Sequence, residues 1–179
     1  QGKYFEWSND IGGTFTNKLQ GFFRSACKVK YFYPWNRSTV IASSLELGWM
    51  NAQGGLQKIP LQERFYAGGP NTLRGFGYKM TGPLDINRIP TGGSLKLVWN
   101  LIEIRRTLYK MIGGVVFADI GNVWQVPKYF KFNGLRSVFG LGIRFNTPVG
   151  LVRLDYGINV DKRVNEDSGK LYFSIGHAF

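Results

Sequence analysis

Side chains that commonly carry chemistry are scarce in this chain of 179 residues: one cysteine, one histidine and 11 acidic residues against 23 basic ones. The lone Cys27 excludes an internal disulfide and any multi-cysteine metal centre. The lone His177 lies two residues from the C-terminus on the apolar face of the last segment, where an interfacial role is expected; without it a Ser-His-Asp arrangement has no base. Asp85, Asp119 and Asp155 are scattered, Glu166-Asp167 reads as a solvated loop pair, and no clustered ligand set for a metal results. A GxxxxGKS/T phosphate loop is missing as well. No catalytic residue, metal or cofactor is therefore expected. No run approaches the ~18 apolar residues of a spanning helix, and no cleavable leader is present. The chain opens at Gln1 rather than Met, as expected of a processed or excised segment, so the missing leader carries no weight. Glu and Ala are few and no ten-residue segment has helical period.

What is abundant points elsewhere. A net charge of +12 favours a polyanionic neighbour: nucleic acid, an acidic lipid surface or lipopolysaccharide. The 24 glycines and 16% aromatics favour strands and turns. In the C-terminal third the pattern is regular. Phe139, Leu141, Ile143 and Phe145 alternate with Arg136, Val138, Gly140, Gly142, Arg144 and Asn146. From Val149 to Val160, Val152, Leu154, Tyr156, Ile158 and Val160 alternate with Arg153, Asp155, Gly157 and Asn159. Leu171, Phe173, Ile175 and Phe179 alternate with Lys170, Tyr172, Ser174, Gly176 and Ala178. Ordinary strands run ~5–6 residues; these run about ten to twelve, the length of a tilted strand crossing a bilayer. A soluble sandwich would also alternate, but glycine and arginine on the polar face suit a crowded, wet lumen better than a sandwich surface. The pattern predicts an all-β, transmembrane antiparallel β-barrel wall.

Further strands are expected over Met111–Gln125 (Ile112, Val116, Ala118, Ile120 and Trp124 outward, Asp119 inward), Ser38–Asn51, Lys28–Trp35 and Gln1–Asp10, making about eight. Thr147-Pro148-Val149-Gly150 and Arg105–Lys110 read as short links; Gln125–Gly134 and Asp161–Gly169 read as long ones. Short turns on one side and long loops on the other are the outer-membrane arrangement, which places the short turns and the C-terminus in the periplasm. Two open edges cannot sit in lipid, so eight strands must be completed by others, pair with a copy, or close on themselves.

The stretch "LRGFGYKM", 73–80, matches the start of the RNP1 strand of an RNA-recognition module. That module needs two amphipathic helices among four short strands, and neither helix is present, so no nucleic-acid partner is expected. Instead the stretch falls in a connection of about forty residues, 52–91, well past the ~12–15 at which loops are usually functional or disordered. Phe65, Tyr66, Leu73, Phe76 and Tyr78 need burial, and at the mouth of a barrel the lumen supplies it. Gly68-Gly69-Pro70 supplies a sharp turn at the loop tip.

"ERFYAGGPNTLRGFGY" (63–78) resembles the signature loop of the BamA/TamA-type outer-membrane assembly translocases, the bacterial surface antigen superfamily. "IEIRRTLYKMIGGVVFADIGNVW" (102–124), "TPVGLVRLDYG" (147–157) and the terminal "LYFSIGHAF" are similar to that family's later strands, in the family's order. The resemblance implies that residues 1–179 are the C-terminal half of a sixteen-stranded barrel preceded by periplasmic POTRA domains. It implies a loop folded into the lumen, where Arg74, beside Gly75 and Phe76, pairs with acidic groups on the next two strands, Asp119 and Glu103. An arginine in a lumen is a charged planar fork that two carboxylates can take together. Strict alternation places Glu103 outward with Leu97, Trp99 and Leu101, so its pairing requires a bulge between Asn100 and Glu103. The terminal strand, with Leu171, Phe173, Ile175 and Phe179, would form a weak seam that can pair with an incoming strand. The implied setting is the bacterial outer membrane. The implied partners are its lipid and lipopolysaccharide, substrate β-barrel or secreted proteins, the POTRA domains and accessory assembly proteins. A secretion pore or enzyme-fused barrel of the same family, and a passive structural or adhesive barrel, stay open as alternatives.

Overall fold

Period-two alternation produces eight strands, and every strand pairs antiparallel with its sequence neighbours in one sheet of order β1 to β8. The computed structural model describes residues 2–12, 21–52, 54–148 and 150–176; Gln1, Val149, His177, Ala178 and Phe179, named above, lie outside the described residues. The strands are β1 (Gly2–Gly12), β2 (Phe22–Asn36), β3 (Thr39–Ala52), β4 (Leu95–Tyr109), β5 (Ile112–Trp124), β6 (Arg136–Thr147), β7 (Gly150–Asn159) and β8 (Gly169–Ile175). Among the described residues β1 and β8 each pair on one side only, so the sheet is an open arc and not a closed eight-stranded barrel. Tight turns join β2 to β3, β4 to β5 and β6 to β7, while the long connections gather at the other end.

The two faces separate cleanly. Outward positions such as Trp99, Leu101, Ile104, Phe139, Leu141, Ile143, Tyr156 and Ile158 are exposed, a continuous apolar surface far larger than water-soluble monomers tolerate. The apolar core lies on the concave side, where Leu56, Ile59, Phe65, Ala67, Leu73 and Phe76 of the long loop pack against Met50, Val98, Val115, Phe117, Val123 and Val138 of the wall. The molecule thus has a packed interior and a second apolar surface that only lipid satisfies.

Several local expectations are corrected. Strand β2 starts at Phe22 and not at Lys28, because Ser25, Ala26 and Cys27 are too small to signal an alternation that the pairing with β1 and β3 nonetheless enforces. The expected short link Arg105–Lys110 is mostly strand: β4 runs to Tyr109 and the turn is confined to Lys110-Met111. Tyr78, expected to be buried, is 72% exposed; the Lys79 ammonium lies 5.5 Å from its ring. Trp124 keeps its outward parity yet is buried, because Phe130 of the following loop tilts against it at 4.9 Å and Phe132 continues the stack.

Candidate functional site

The long loop descends into the lumen as a braced structure. Two single-turn 3-10 helices, Leu56–Lys58 and Leu61–Glu63, lead the chain inward. Arg64 then ties the outgoing leg to the returning one, donating from Nε and Nη2 to the Ile59 carbonyl (3.1 and 2.8 Å) and from Nη1 to the Thr91 carbonyl (2.9 Å). The bridges Phe65 to Gly93 and Ala67 to Thr81 continue the pairing of the two legs. At the bottom Gly68 and Gly69 both take positive φ, 102° and 115°, a conformation that L side chains rarely adopt. A Cβ on Gly68 would also stand 2.4 Å from the Gly77 carbonyl oxygen. Half-buried Pro70 follows, and the Gly68 N–H donates to Thr72 Oγ1 at 2.9 Å, closing the turn.

Immediately after this turn Leu73, Arg74, Gly75 and Phe76 are all buried. The Arg74 guanidinium, 1% exposed, grips Asp119 of β5 with a two-point fork: Nε to Oδ2 and Nη2 to Oδ1, both 2.8 Å. Its remaining nitrogen, Nη1, donates to Glu103 of β4. The face of the fork lies 3.5 Å over the Phe117 ring, so the cation is enclosed by two carboxylates and an aromatic face. Asn100 completes the shell, donating from Nδ2 to both Asp119 Oδ1 (2.9 Å) and the Thr72 carbonyl (2.8 Å).

Glu103 reaches this cluster through a bulge. In β4 the register against β5 passes from Asn100 opposite Asp119 to Ile102 opposite Ala118, and the register against β3 slips at the same place. Leu101 and Ile102 consequently both face outward and Glu103 turns in, fully buried. Its other oxygen accepts from Arg105 Nε at 2.6 Å and lies 3.9 Å from Arg144 Nη2, while Arg144 Nη1 donates to Asp155 at 2.6 Å. A charge network thus extends from the loop through β4, β5, β6 and β7.

Glycines on the inner wall make the close approach possible. A Cβ on Gly157 of β7 would lie 2.5 Å from the Arg74 carbonyl oxygen, and one on Gly140 of β6 would meet the Phe117 ring at 2.2 Å. Conversely a Cβ on Gly75 would strike Asn159 Oδ1 at 2.0 Å. Phe76 is held under Arg136, whose guanidinium lies 4.7 Å from its ring; Arg136 in turn binds Glu166 and the Asp161 carbonyl in the β7–β8 connection. Burial alone would raise the Glu166 carboxyl. The Arg136 hydrogen bonds and charge, with the Arg163 backbone N–H, outweigh that and hold it below its ordinary value.

Of the residues singled out in the sequence, the structure brings Arg74, Gly75, Phe76, Asp119 and Glu103 into one cluster, with Gly68, Gly69 and Pro70 forming the turn that delivers them. Leu171, Phe173 and Ile175 stand apart on the outer face of β8, 61%, 67% and 68% exposed. The sequence pattern does not single out Phe117, Asn100, Arg153 or Tyr172 as partners of the loop. Their inward parity was readable; which of them the loop would touch depends on how deep it inserts.

Comparison with known proteins agrees with this architecture. The family model described as the Omp85 superfamily domain matches residues 1–179. The outer membrane protein assembly factor BamA of Nitratidesulfovibrio vulgaris is 25% identical over 186 residues, covering 100% of this chain and 23% of that protein. The BamA of Neisseria meningitidis serogroup B is 22% identical, covering 91% of this chain and 24% of that protein. The chain spans about a quarter of the length of these curated relatives. In structure it is similar to BamA from Haemophilus ducreyi lacking POTRA domains 1-3, with a TM-score of 0.79 at 19% identity, over 96% of this chain and 37% of that one. With the family model matched from first residue to last, over a barrel wall holding its long loop inside, the chain belongs to the Omp85 superfamily.

Proposed function

We propose that this chain is the C-terminal part of the barrel of an outer-membrane assembly factor, one that inserts β-barrel proteins into, or exports proteins across, the bacterial outer membrane. The observation that carries the reading is the buried Arg74 fork held by Asp119 and Glu103. It fixes a forty-residue loop against one stretch of wall, where a passive barrel needs only a surface loop. The names of the relatives, outer membrane protein assembly factors, support the same reading.

The mechanism uses pairing and no cofactor. Backbone groups left unpaired in hydrocarbon cost several kcal/mol each, so a strand at an open edge has a strong drive to acquire a partner. β8, carrying Leu171, Phe173 and Ile175 toward lipid, offers such an edge to an incoming strand, which would pair with it by β-augmentation. The locked loop keeps the neighbouring wall in register while that exchange occurs. In this reading the tight turns and the C-terminus face the periplasm, where POTRA domains and accessory proteins would deliver substrates. The long connections face outward, where the basic balance of the chain suits lipopolysaccharide. Substitution of Arg74 by Ala in the intact polypeptide, reconstituted in bilayers, is expected to slow insertion of a substrate barrel severalfold. Insertion at the unsubstituted rate would count heavily against the lock.

A further inference from the structure

Two hydrogen-bonded links cross from the lumen loop to the inner face of β8, and neither involves the Arg74 guanidinium. The Tyr172 hydroxyl donates to the Phe76 carbonyl. Arg153 of β7 places one nitrogen, Nη2, between Asn71 Oδ1 at 3.0 Å and Ser174 Oγ at 2.8 Å. The register explains the convergence: Ser174 stands opposite Arg153, Tyr172 opposite Asp155, and Lys170 opposite Gly157. Gly157 is the rung on which the Arg74-Gly75 backbone rests. The loop from Asn71 to Phe76 therefore runs along the β7–β8 rungs and touches both strands.

The state of Arg153 makes this contact consequential. Its side chain is 2% exposed, and its Nε and Nη1 have no hydrogen-bond partner among the described residues. A buried guanidinium needs its acceptors, and one of the two that Arg153 has belongs to the loop. β8 itself has little else to hold it. It is seven residues long within the described chain, against 15 for β2 and β4. Its outer side chains are exposed, and among the described residues β7 is its one strand neighbour.

From these contacts we propose that the lumen loop is a brace for the terminal strand. Tyr172, Ser174 and Arg153 transmit the seating of Asn71–Phe76 to β8, so loop displacement loosens β8. By the reciprocity of coupled equilibria, pairing at the free edge of β8 shifts the loop in return. The brace rests on the proposed assembly function only where that edge is taken to receive a substrate strand; the coupling itself does not require it.

The test is amide hydrogen exchange on the intact polypeptide in lipid nanodiscs. Tyr172→Phe removes one hydroxyl and keeps the ring; Tyr156→Phe, on the outer face, is the control. Exchange is expected to rise about three- to tenfold, the scale of one lost hydrogen bond, in both Lys170–Ile175 and Asn71–Phe76, with the strands around Asp119 unchanged and the control silent. Acceleration in neither segment, or in only one, overturns the brace. Asn71→Ala approaches the same coupling from the loop side, should the tyrosine variant fold poorly; wild-type exchange in β8 of that variant also overturns it. Substrate insertion by the same variants reads the function separately: coupled exchange with undiminished insertion would retain the brace and remove its role in assembly.

Discussion

Strands β1 and β2 and strands β5 to β7 belong to one wall and share one alternation, yet their inner faces are unlike. Every residue of β1 from Gly2 to Ile11 is exposed, whichever way it points. The inner positions of β2 and its neighbours, Arg24, Lys28, Glu46 and Lys96, surround a cavity of about 300 Å³. On β5 to β7 the inner residues Phe117, Asp119, Val138, Gly140, Arg144, Arg153, Asp155 and Gly157 are buried. The difference is the loop: its Asn71–Phe76 segment leans on β4 to β8, whereas toward β2 it reaches Arg24 through Glu63 and Phe65 and leaves β1 open. Where it leans, the wall offers glycines for room, arginines and carboxylates for attachment, and the apolar patch of Val98, Val115, Phe117, Val123 and Val138. Away from that segment, long charged side chains such as Lys28, Glu46 and Lys96 fill the same positions. An inner face rich in glycine thus marks where another part of the chain presses.

That contrast is broken most severely at the fork. Arg74→Ala takes the cation from buried Asp119, whose remaining side-chain partner among the described residues is the Asn100 amide, while Glu103 keeps Arg105; removing one partner of a buried pair costs about 3–5 kcal/mol. Thermal or denaturant unfolding of the intact barrel in micelles is expected to show a loss of that order, with protease sites opening between residues 64 and 91. The next largest effect comes from filling the wall. Gly157→Ala drives a Cβ to within 2.5 Å of the Arg74 carbonyl, an overpacking expected to cost about 1–3 kcal/mol. Gly2→Ala on β1 meets nothing closer than 3.5 Å and should leave stability unchanged. Equal effects of the two alanines would dissolve the distinction between the halves.

Much of this arrangement was legible in the sequence, for reasons that differ by element. Strands β5 to β7 announced themselves because lipid outside and water or loop inside impose opposite demands on successive side chains. β2 was read short because Ser25, Ala26 and Cys27 satisfy both demands weakly. The fate of Glu103 hung on a bulge, and alternation alone could state the requirement without meeting it; two outward residues in a row, Leu101 and Ile102, are its trace. Tyr78 was misplaced because an aromatic in a buried loop was expected to follow its neighbours inward, whereas the chain turns outward again after Phe76. Tyr172 and Arg153 were recognisable as inward residues of their strands, but the loop acceptors they meet lie eighty or more positions away, and local pattern carries no record of that distance.

Smaller effects refine the comparison. On the open half, Lys28 and Lys96 share the Glu46 carboxylate, with side chains 27% and 15% exposed around one that is 15% exposed. Glu46→Gln leaves two ammonium groups facing a neutral amide. Water in the adjacent cavity relieves part of the repulsion, so the expected loss, about 1 kcal/mol, falls well below that at Arg74. A loss equal to the Arg74 effect would mean that the cavity is as dry as the packed half.

The smallest effect concerns the rim of the packed half, where Arg136 bridges Phe76 and Glu166. The Glu166 carboxyl is held below its ordinary value, so folding stabilises its ionised form. Its contribution is therefore complete above the unfolded carboxyl pKa of about 4.3, and is lost as pH falls through the lower folded value. Glu166→Gln removes the contribution at neutral pH and leaves little to lose in acid. Proteolytic susceptibility of the 160–168 connection should therefore differ between the two proteins at pH 7 and converge near pH 3, by a few-fold at most for a pair this close to solvent. If susceptibility of the unsubstituted protein stays flat through that window, Arg136 holds Phe76 by its ring contact alone, and the rim does not depend on the charge of Glu166.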